Sequence, residues 1–328
     1  MHWKIQCGAT RSAVTVALAV VVFLPTARPD DAAKKGESTC VDHEKGAPDG
    51  SPVGCQDSQN NGVAQVSIEK EKARTRKRNL FHAWLALGER VQATQPDWLS
   101  PLATTSGRLK QEFRYDIWVQ PASGGNRSYQ FGGNKGLELI TSSRTQILIG
   151  VPTYTLVSPN GPPGAFGDLP LMLKFRISSA ERREGSYLVT FLLAATAPTG
   201  SHRYGAGEAV VTPTMAFGKG WRRFDVQSTL GINVPAGNTA KLGRQLLWNT
   251  AFQYRVWKLW PELEANSTLY TTGKNAGETQ LFLTPGLGIG RAHLAGRFRL
   301  SSAVGVQIAA TQFHTYNHRW MLSTRVSF

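Results

Sequence analysis

From residue 111 onward, apolar and polar residues alternate with a period of two. In "FRYDIWV", Phe113, Tyr115, Ile117 and Val119 share one parity. In "LPLMLKFRI", Leu169, Leu171, Leu173, Phe175 and Ile177 do the same. "FDVQSTLGINV", "LLWNTAFQYRV" and "FRLSSAVGVQI" repeat the pattern. A helix brings every third or fourth residue to one face and a strand brings every second, so these segments read as half-buried strands. Twelve are predicted, at about 111–120, 136–141, 145–156, 167–178, 186–197, 208–217, 222–234, 244–257, 260–270, 279–290, 297–309 and 318–328. Most match the roughly 9–11 residues that a tilted strand needs to cross a bilayer. Alternation is poorest in the second and third, "LELITSSRTQILIG".

The predicted connections sort by length. Those at 121–135, 157–166, 198–207, 235–243, 271–278 and 310–317 are long and rich in Gly, Pro, Asn and His. Those at 142–144, 179–185, 218–221, 258–259 and 291–296 are shorter almost throughout. Outer-membrane barrels combine an even strand number with long outside loops and short periplasmic turns. A soluble sandwich has no reason to sort its loops, and a soluble eight-stranded barrel needs fewer strands. The predicted fold is therefore all-β: a transmembrane antiparallel up-and-down β-barrel of about 12 strands. The last stretch, "NHRWMLSTRVSF", alternates through Trp320, Leu322, Thr324, Val326 and Phe328. It is expected to close the barrel, because a bilayer tolerates no free sheet edge. Ending on Phe328, it also resembles the C-terminal signal read by barrel-assembly machinery. That machinery, outer-membrane lipid and lipopolysaccharide are the expected partners. Phe113, Phe175, Tyr187, Phe217, Phe224, Trp257, Trp260, Phe298 and Phe328 fall near the short turns, as an interfacial aromatic girdle would.

With the apolar parity facing lipid, the other parity faces a lumen, where charge is tolerated. The expected lumen-lining residues are Arg114, Asp116, Lys174, Arg176, Arg223, Asp225, Arg255, Glu262, Glu264, Arg297, Arg299, Arg319 and Arg325. Register suggests that Arg255 meets Glu262 or Glu264, and that Arg325 meets Glu112. Twelve strands leave a narrow lumen that an inward-folded segment would block.

The region before the barrel reads differently. Lys4 and Arg11 precede an apolar run from Ala13 to Leu24 and then small residues, the order of a secretory signal peptide. Cleavage is expected after Ala27 or as late as Ala33. Residues 28–110 form a periplasmic, largely irregular segment, with a short amphipathic helix near 79–91 carrying Leu80, Phe81, Trp84, Leu85 and Leu87. That helix serves as a linker or packs into or under the barrel mouth. Cys40 and Cys55 remain after cleavage, and an exported pair points to a disulfide. No CxxC spacing supports a metal site, and no cofactor is expected.

Composition adds two constraints. Only 41% of the 328 residues are hydrophobic and mean hydropathy is −0.25, which excludes a bundle of membrane helices but not a barrel. The formal net charge is +15; residues 111–328 hold 22 Lys+Arg against 11 Asp+Glu. The basic residues form no patch interleaved with aromatics, so nucleic acid is not an expected partner and a basic lumen is. G-x-S-x-G, the P-loop pattern and H-E-x-x-H are all absent. Ser201 and His202 are adjacent, but no carboxylate is placed to orient the imidazole. No enzymatic activity is expected.

Several phrases resemble one family. They are "PDWLSPLATTSGRLKQEFRYD" (96–116), "GAFGDLPLMLKFR" (164–176), "APTGSH" (197–202), "VVTPTMAFGKGW" (210–221), "LLWNTAFQYRVW" (246–257), "FLTPGLGIG" (282–290) and "YNHRWMLSTRVSF" (316–328). Together they are similar to the outer-membrane transporters named for the MetA pathway of phenol degradation. The likeness runs from about residue 96 to 328 and does not include the Cys-containing segment. It implies an outer-membrane β-barrel passing small solutes, often aromatic or hydrophobic, by diffusion through the lumen or laterally through the wall. The alternatives are a non-conducting structural or adhesion barrel, or an outer-membrane hydrolase.

Overall fold

A computed structural model describes residues 81–133, 135–181 and 185–328. The expected signal peptide and the Cys40–Cys55 disulfide lie outside the described residues. The sheet is built from β1 (Glu112–Pro121), β2 (Arg127–Gly132), β3 (Gly136–Ile140), β4 (Thr145–Gly150), β5 (Tyr154–Ser158), β6 (Ala165–Phe166), β7 (Leu169–Ala180), β8 (Tyr187–Ala197), β9 (Val210–Trp221), β10 (Phe224–Pro235), β11 (Gln245–Tyr254), β12 (Leu259–Tyr270), β13 (Thr279–Ala295), β14 (Phe298–Ala309) and β15 (His318–Ser327). Three pairs are collinear pieces of one strand. β2 and β3 both run along β1, from Asp116↔Gly132 and from Glu112↔Glu138. β4 and β5 pair with β3 and β2, and β6 and β7 with β5 and β4. Twelve strands result, each antiparallel to its neighbours. β15 pairs with β1 from Glu112↔Ser327 to Val119↔Trp320, which closes the barrel.

The broken strands correct the expected long first loop. Residues 127–132 belong to the wall, and the connection shrinks to 122–126 around a short 3-10 turn, Ser123–Gly125. Gly132 and Gly133 take φ of 102° and 62°, so the strand is interrupted there and resumes at Gly136. The other connections still sort by end. One end carries 159–164, 198–209, 236–244, 271–278 and 310–317; the other carries 141–144, 181–186, 222–223, 255–258 and 296–297. These are the loop end and the turn end below.

Burial is inverted relative to a soluble protein. Leu171, Leu173, Phe175 and Ile177 on β7 and Leu230 and Ile232 on β10 are exposed, whereas Arg114, Asp116, Lys174, Glu264 and Arg325 are buried. Soluble chains do the reverse. Trp260 departs from the expected girdle: it shares the parity of Glu262 and Glu264 and turns inward, 7% exposed, whereas Trp257 stays outside at 78%.

Before the barrel, residues 81–93 form helix α1. Leu85, Gly88 and Val91 recur every three residues and are buried. Val91 joins Leu109 and Ile140, with Leu87 packed against them, and the Trp84 indole donates to the Ile140 carbonyl at 2.7 Å. Ile140 ends β3, so α1 lies at the turn end. The Gln111 side chain packs directly on Gly88, leaving no room for a Cβ.

Closure makes one strand critical. Thr324 sits mid-β15, paired to Tyr115 on one side and Ser302 on the other. Thr324→Pro removes a ladder donor and adds a clash between two neighbours. The expected outcome is loss of the compact, heat-modifiable band on gel electrophoresis; a variant that keeps this band at native yield would contradict closure through β15.

Candidate functional site: an occupied lumen

Residues 94–111 connect α1 to β1 without regular secondary structure, and they do so inside the barrel. The chain enters at the turn end, rises to Ala103–Thr104 and returns. Gln95 ties the two limbs, donating to the Leu109 carbonyl at 2.5 Å while its Oε1 accepts the Leu109 N–H at 3.0 Å. Almost every residue from Gln95 to Gln111 is buried. Irregular backbone in such a place needs partners for its N–H and C=O groups.

Inward side chains supply them. Glu264 accepts the Ala103 and Thr104 N–H groups at 2.7 and 2.5 Å. Arg325 donates to the Ser100 and Pro101 carbonyls at 2.6 and 3.1 Å, and Arg114 to those of Pro101 and Leu102 at 3.1 and 2.5 Å. Gln227 donates to the Leu99 carbonyl at 3.0 Å, and Gln146 accepts the Lys110 N–H at 2.5 Å. Lys174 reaches the Ser106 carbonyl at 3.2 Å, and Arg176 the Val91 carbonyl at 3.1 Å. Within the segment, Arg108 donates to the Trp98 carbonyl. Burial, helped by nearby Arg291 and opposed by Asp97, pushes the Arg108 guanidinium down to about 10, still charged at neutral pH. Above the apex, Asn266 accepts from Gln307 at 2.9 Å and Thr284 at 3.2 Å and donates to Asn249 at 3.3 Å, a polar layer over the segment.

Apolar anchors complete the fit. Trp98 lies over Gly218 and Gly220, Leu99 against Gly288 and Leu102 against Gly305; a Cβ on Gly218 or Gly288 would fall 2.4 or 2.2 Å from the ring or methyl it faces. Leu102 also packs with Ala303 and Met321.

Among the described residues, the buried charged side chains are equal in number, six basic and six acidic. Arg108, Lys110, Arg114, Lys174, Arg176 and Arg325 face Glu112, Asp116, Glu138, Asp225, Glu262 and Glu264. Contacts include Arg114–Asp116 at 2.8 Å, Lys110–Glu112 at 2.8 Å and Lys174–Glu138 at 2.9 Å. Immediately around the inner segment the lining is therefore of mixed sign. Exposed positive charge lies at both rims, on Arg222, Arg223, Arg255, Lys258, Arg297 and Arg299 at the turn end and on Arg127, Arg203, Lys241, Arg244 and Lys274 at the loop end.

Of the residues singled out by parity, Arg114, Asp116, Lys174, Arg176, Asp225, Glu262, Glu264 and Arg325 lie buried together around the inner segment. Arg319 is half-buried nearer the loop end, between the Trp118 and Tyr316 rings at 4.6 and 3.9 Å. Arg223, Arg255 and Arg297 occupy turns, beyond the last ladder pairs, and Arg299 lines a cavity at that rim. Two suggested pairings are replaced. Arg255 stacks on Trp260 at 5.1 Å, because register places Gln253 opposite Glu262 and donates Gln253 to it at 2.6 Å. Arg325 faces Arg114, not Glu112, and both guanidinium groups turn to carbonyls of the inner segment. Ser201 Oγ accepts the Tyr204 N–H at 3.3 Å in a loop turn, and His202 is exposed. Parity missed Lys110 and Glu138, and Glu112, expected beside Arg325, instead pairs with Lys110 at 2.8 Å. Lys110 precedes regular alternation, and Glu138 sits in the poorly alternating second strand.

Two cavities open at opposite ends of the barrel. One, of about 1000 Å³, opens at the loop end among Trp118, Gln130, Asp168, Tyr204 and Tyr316. The other, of about 660 Å³, opens at the turn end among Glu89, Asp97, Arg108, Arg291 and Arg299.

No protein-family model matches this chain, and no curated protein does. Among solved structures it is similar to an outer membrane channel from Pseudomonas putida F1, with 12% identity and a TM-score of 0.49 over 70% of this chain and 100% of that one. It is also similar to the NanC porin, with 7% identity and a TM-score of 0.43 over 66% of this chain and 98% of that one.

Glu264→Ala tests the anchoring. It leaves two buried N–H groups without an acceptor, each bond to a charged group contributing about 1.5–3 kcal/mol. The Ala103 and Thr104 amides are expected to exchange hydrogen at least about tenfold faster while ladder amides are unchanged. Unaltered exchange at both would show that Glu264 does not hold the segment.

Proposed function

We propose that this chain is an outer-membrane channel that passes small solutes passively and is held shut by its own residues 94–111. The belt of outward Leu, Ile, Phe and Trp side chains supports the membrane location, since soluble monomers rarely expose large contiguous apolar surfaces. A closed barrel is one of the two ways a chain can cross a bilayer. In this reading the loops lie outside and the turns face the periplasm. Lipid and lipopolysaccharide contact the belt, and assembly machinery reads the strand ending at Phe328. The observation that carries the channel reading is the pair of cavities at opposite ends with a segment between them that belongs to no ladder. Its removal from the lumen breaks side-chain bonds to backbone and leaves every strand pairing intact. A structural barrel has no use for a detachable filling.

Ion current across a planar bilayer tests this. The native chain is expected to be silent or to open rarely. A variant with residues 98–105 replaced by a Gly/Ser linker of equal length is expected to show sustained openings, with a heat-modifiable band confirming the barrel. A folded variant as silent as the native chain would remove the reading, as would a native chain that conducts like the variant.

One observation favours a second route, for the aromatic or hydrophobic solutes that the MetA-pathway resemblance implies. The β1–β15 ladder stops at Val119↔Trp320, although β1 continues to Pro121 and β15 begins at His318. A cavity of about 350 Å³ lies at this seam, lined by Val119, Arg127, His318 and Trp320, and Gln120 lines both it and the loop-end cavity. Gln120→Cys with Arg319→Cys places two thiols across the seam. Under oxidation, phenol uptake into vesicles is expected to fall and to recover with reductant; uptake indifferent to oxidation would exclude the lateral route.

A further inference from the structure

The two halves of the lumen use their polar side chains differently. In the turn-end half most of them bond the inner segment or one another, Thr190 being an exception. In the loop-end half, Gln120, Ser128, Gln130, Thr155, Thr212 and Asn233 line the cavity of about 1000 Å³, and among the described residues their side chains bond no other protein group. Gln120 Oε1 is buried without a partner, and Ser128 and Thr155, only 6% and 7% exposed, line the cavity beside it. Recessed polar groups without partners are uncommon, because each forfeits a hydrogen bond.

The charges around this cavity are largely spoken for. The Asp168 carboxylate accepts the Gly200 N–H at 2.9 Å and the Ala206 N–H at 2.7 Å. Arg319 is clamped between Trp118 and Tyr316, and Phe282 stacks on Tyr316 at 4.4 Å. His314 is bonded to the Thr311 carbonyl and to Asn317 Oδ1 at 2.9 and 2.7 Å. Arg203 remains as a single exposed cation. An anion site needs converging cations and a cation site needs a free carboxylate, and the cavity presents neither; an aromatic hydrocarbon needs continuous apolar walls, and here the Trp118, Tyr204 and Tyr316 rings are interleaved with polar groups. Hydroxyls and carboxamides each donate and accept, which is the pattern that a set of C–OH groups requires.

We infer that the loop-end cavity binds an uncharged, polyhydroxylated solute of mono- or disaccharide size. The volume lies at the upper end of small-molecule sites. This inference rests on the channel reading and names the solute class: it places the site where a solute entering from the loop end first meets the protein.

Saturation-transfer NMR on the full chain, in a detergent without a sugar headgroup, tests it with three probes: maltose, glucuronate and phenol. Maltose is expected to give a saturable signal in the millimolar range, tighter than the other two. Gln130→Ala with Asn233→Ala, two positions away from the inner segment, is expected to weaken maltose by about fivefold or more, the equivalent of one lost hydrogen bond. Outward Leu173→Ala is expected to leave it unchanged. Absence of a saturable maltose signal from heat-modifiable protein would overturn the inference, as would tighter glucuronate or phenol, or a double variant that binds like the native chain. Binding is read without current. A conducting barrel that ignores maltose keeps the channel and loses the site; a barrel that binds maltose but never conducts, even without its inner segment, loses the channel and keeps the site.

Discussion

A stretch of irregular backbone enclosed in a barrel has no ladder to satisfy its N–H and C=O groups, and leaving one of them buried and unpaired costs about 1–3 kcal/mol. That constraint organises the interior of this protein. The inward parity carries long side chains with several donors or acceptors, and some of them serve more than one backbone group. Glu264 takes two consecutive N–H groups; Arg325 and Arg114 each span two consecutive carbonyls and share Pro101. The balance of buried acids and bases follows, since an uncompensated ion in this setting would be strongly destabilising. The +15 formal charge therefore tells little about the interior.

Hydrogen bonds fix register but give little burial, and the wall supplies the rest. Inward glycines make dents into which Trp98, Leu99 and Leu102 fit, so the segment approaches the sheet more closely than a lining of Cβ atoms would permit. Gly107 plays the converse part: it is the segment's own glycine, and a Cβ there would meet Ala216 at 2.9 Å. α1 closes the turn end, with Val91, Leu109 and Ile140 joining helix, inner segment and wall.

The barrel was legible because alternation is a local property. All twelve strands begin or end within about two residues of where parity places them, and the even count and the sorting of connections follow. The errors came where local pattern and pairing part company. β2 looked like loop because Gly132 and Gly133 interrupt it, yet its partners on β1 and β5 hold it in the sheet. Trp260 looked like a girdle residue from its closeness to a turn, although its parity with Glu262 sends it inward. Arg223, Arg255 and Arg297 have lumen parity only if the strands extend past the last paired residues, and they do not. The inner segment was opaque for a different reason. "PDWLSPLATTSGRLK" has no period, because its environment is set by the whole circumference of the barrel and not by neighbours in sequence. The traces it leaves are glycines at inward positions, in "GKG" and "GLGIG", and charges of both signs facing what would otherwise be an empty narrow tube.

The same parity and the same residue classes run the full height of the wall, yet below the apex at Ala103–Thr104 they hold the inner segment, just above it they bond one another around Asn266, and beyond that layer Gln120, Gln130, Thr212 and Asn233 face the loop-end cavity unbonded. Residue type alone therefore does not separate scaffold from site; the position where the inner segment turns back does. Below that level, polar side chains are committed to holding a piece of the protein itself. Above it, they face a cavity. A segment outside every ladder opens at a lower free energy than the ladders do, because exchanging side-chain bonds for water is a local event and opening a closed sheet is cooperative. The element best able to move is thus the one that separates the two cavities, and the element that must persist in lipid, the closed ladder from β1 to β15, takes no part in that movement.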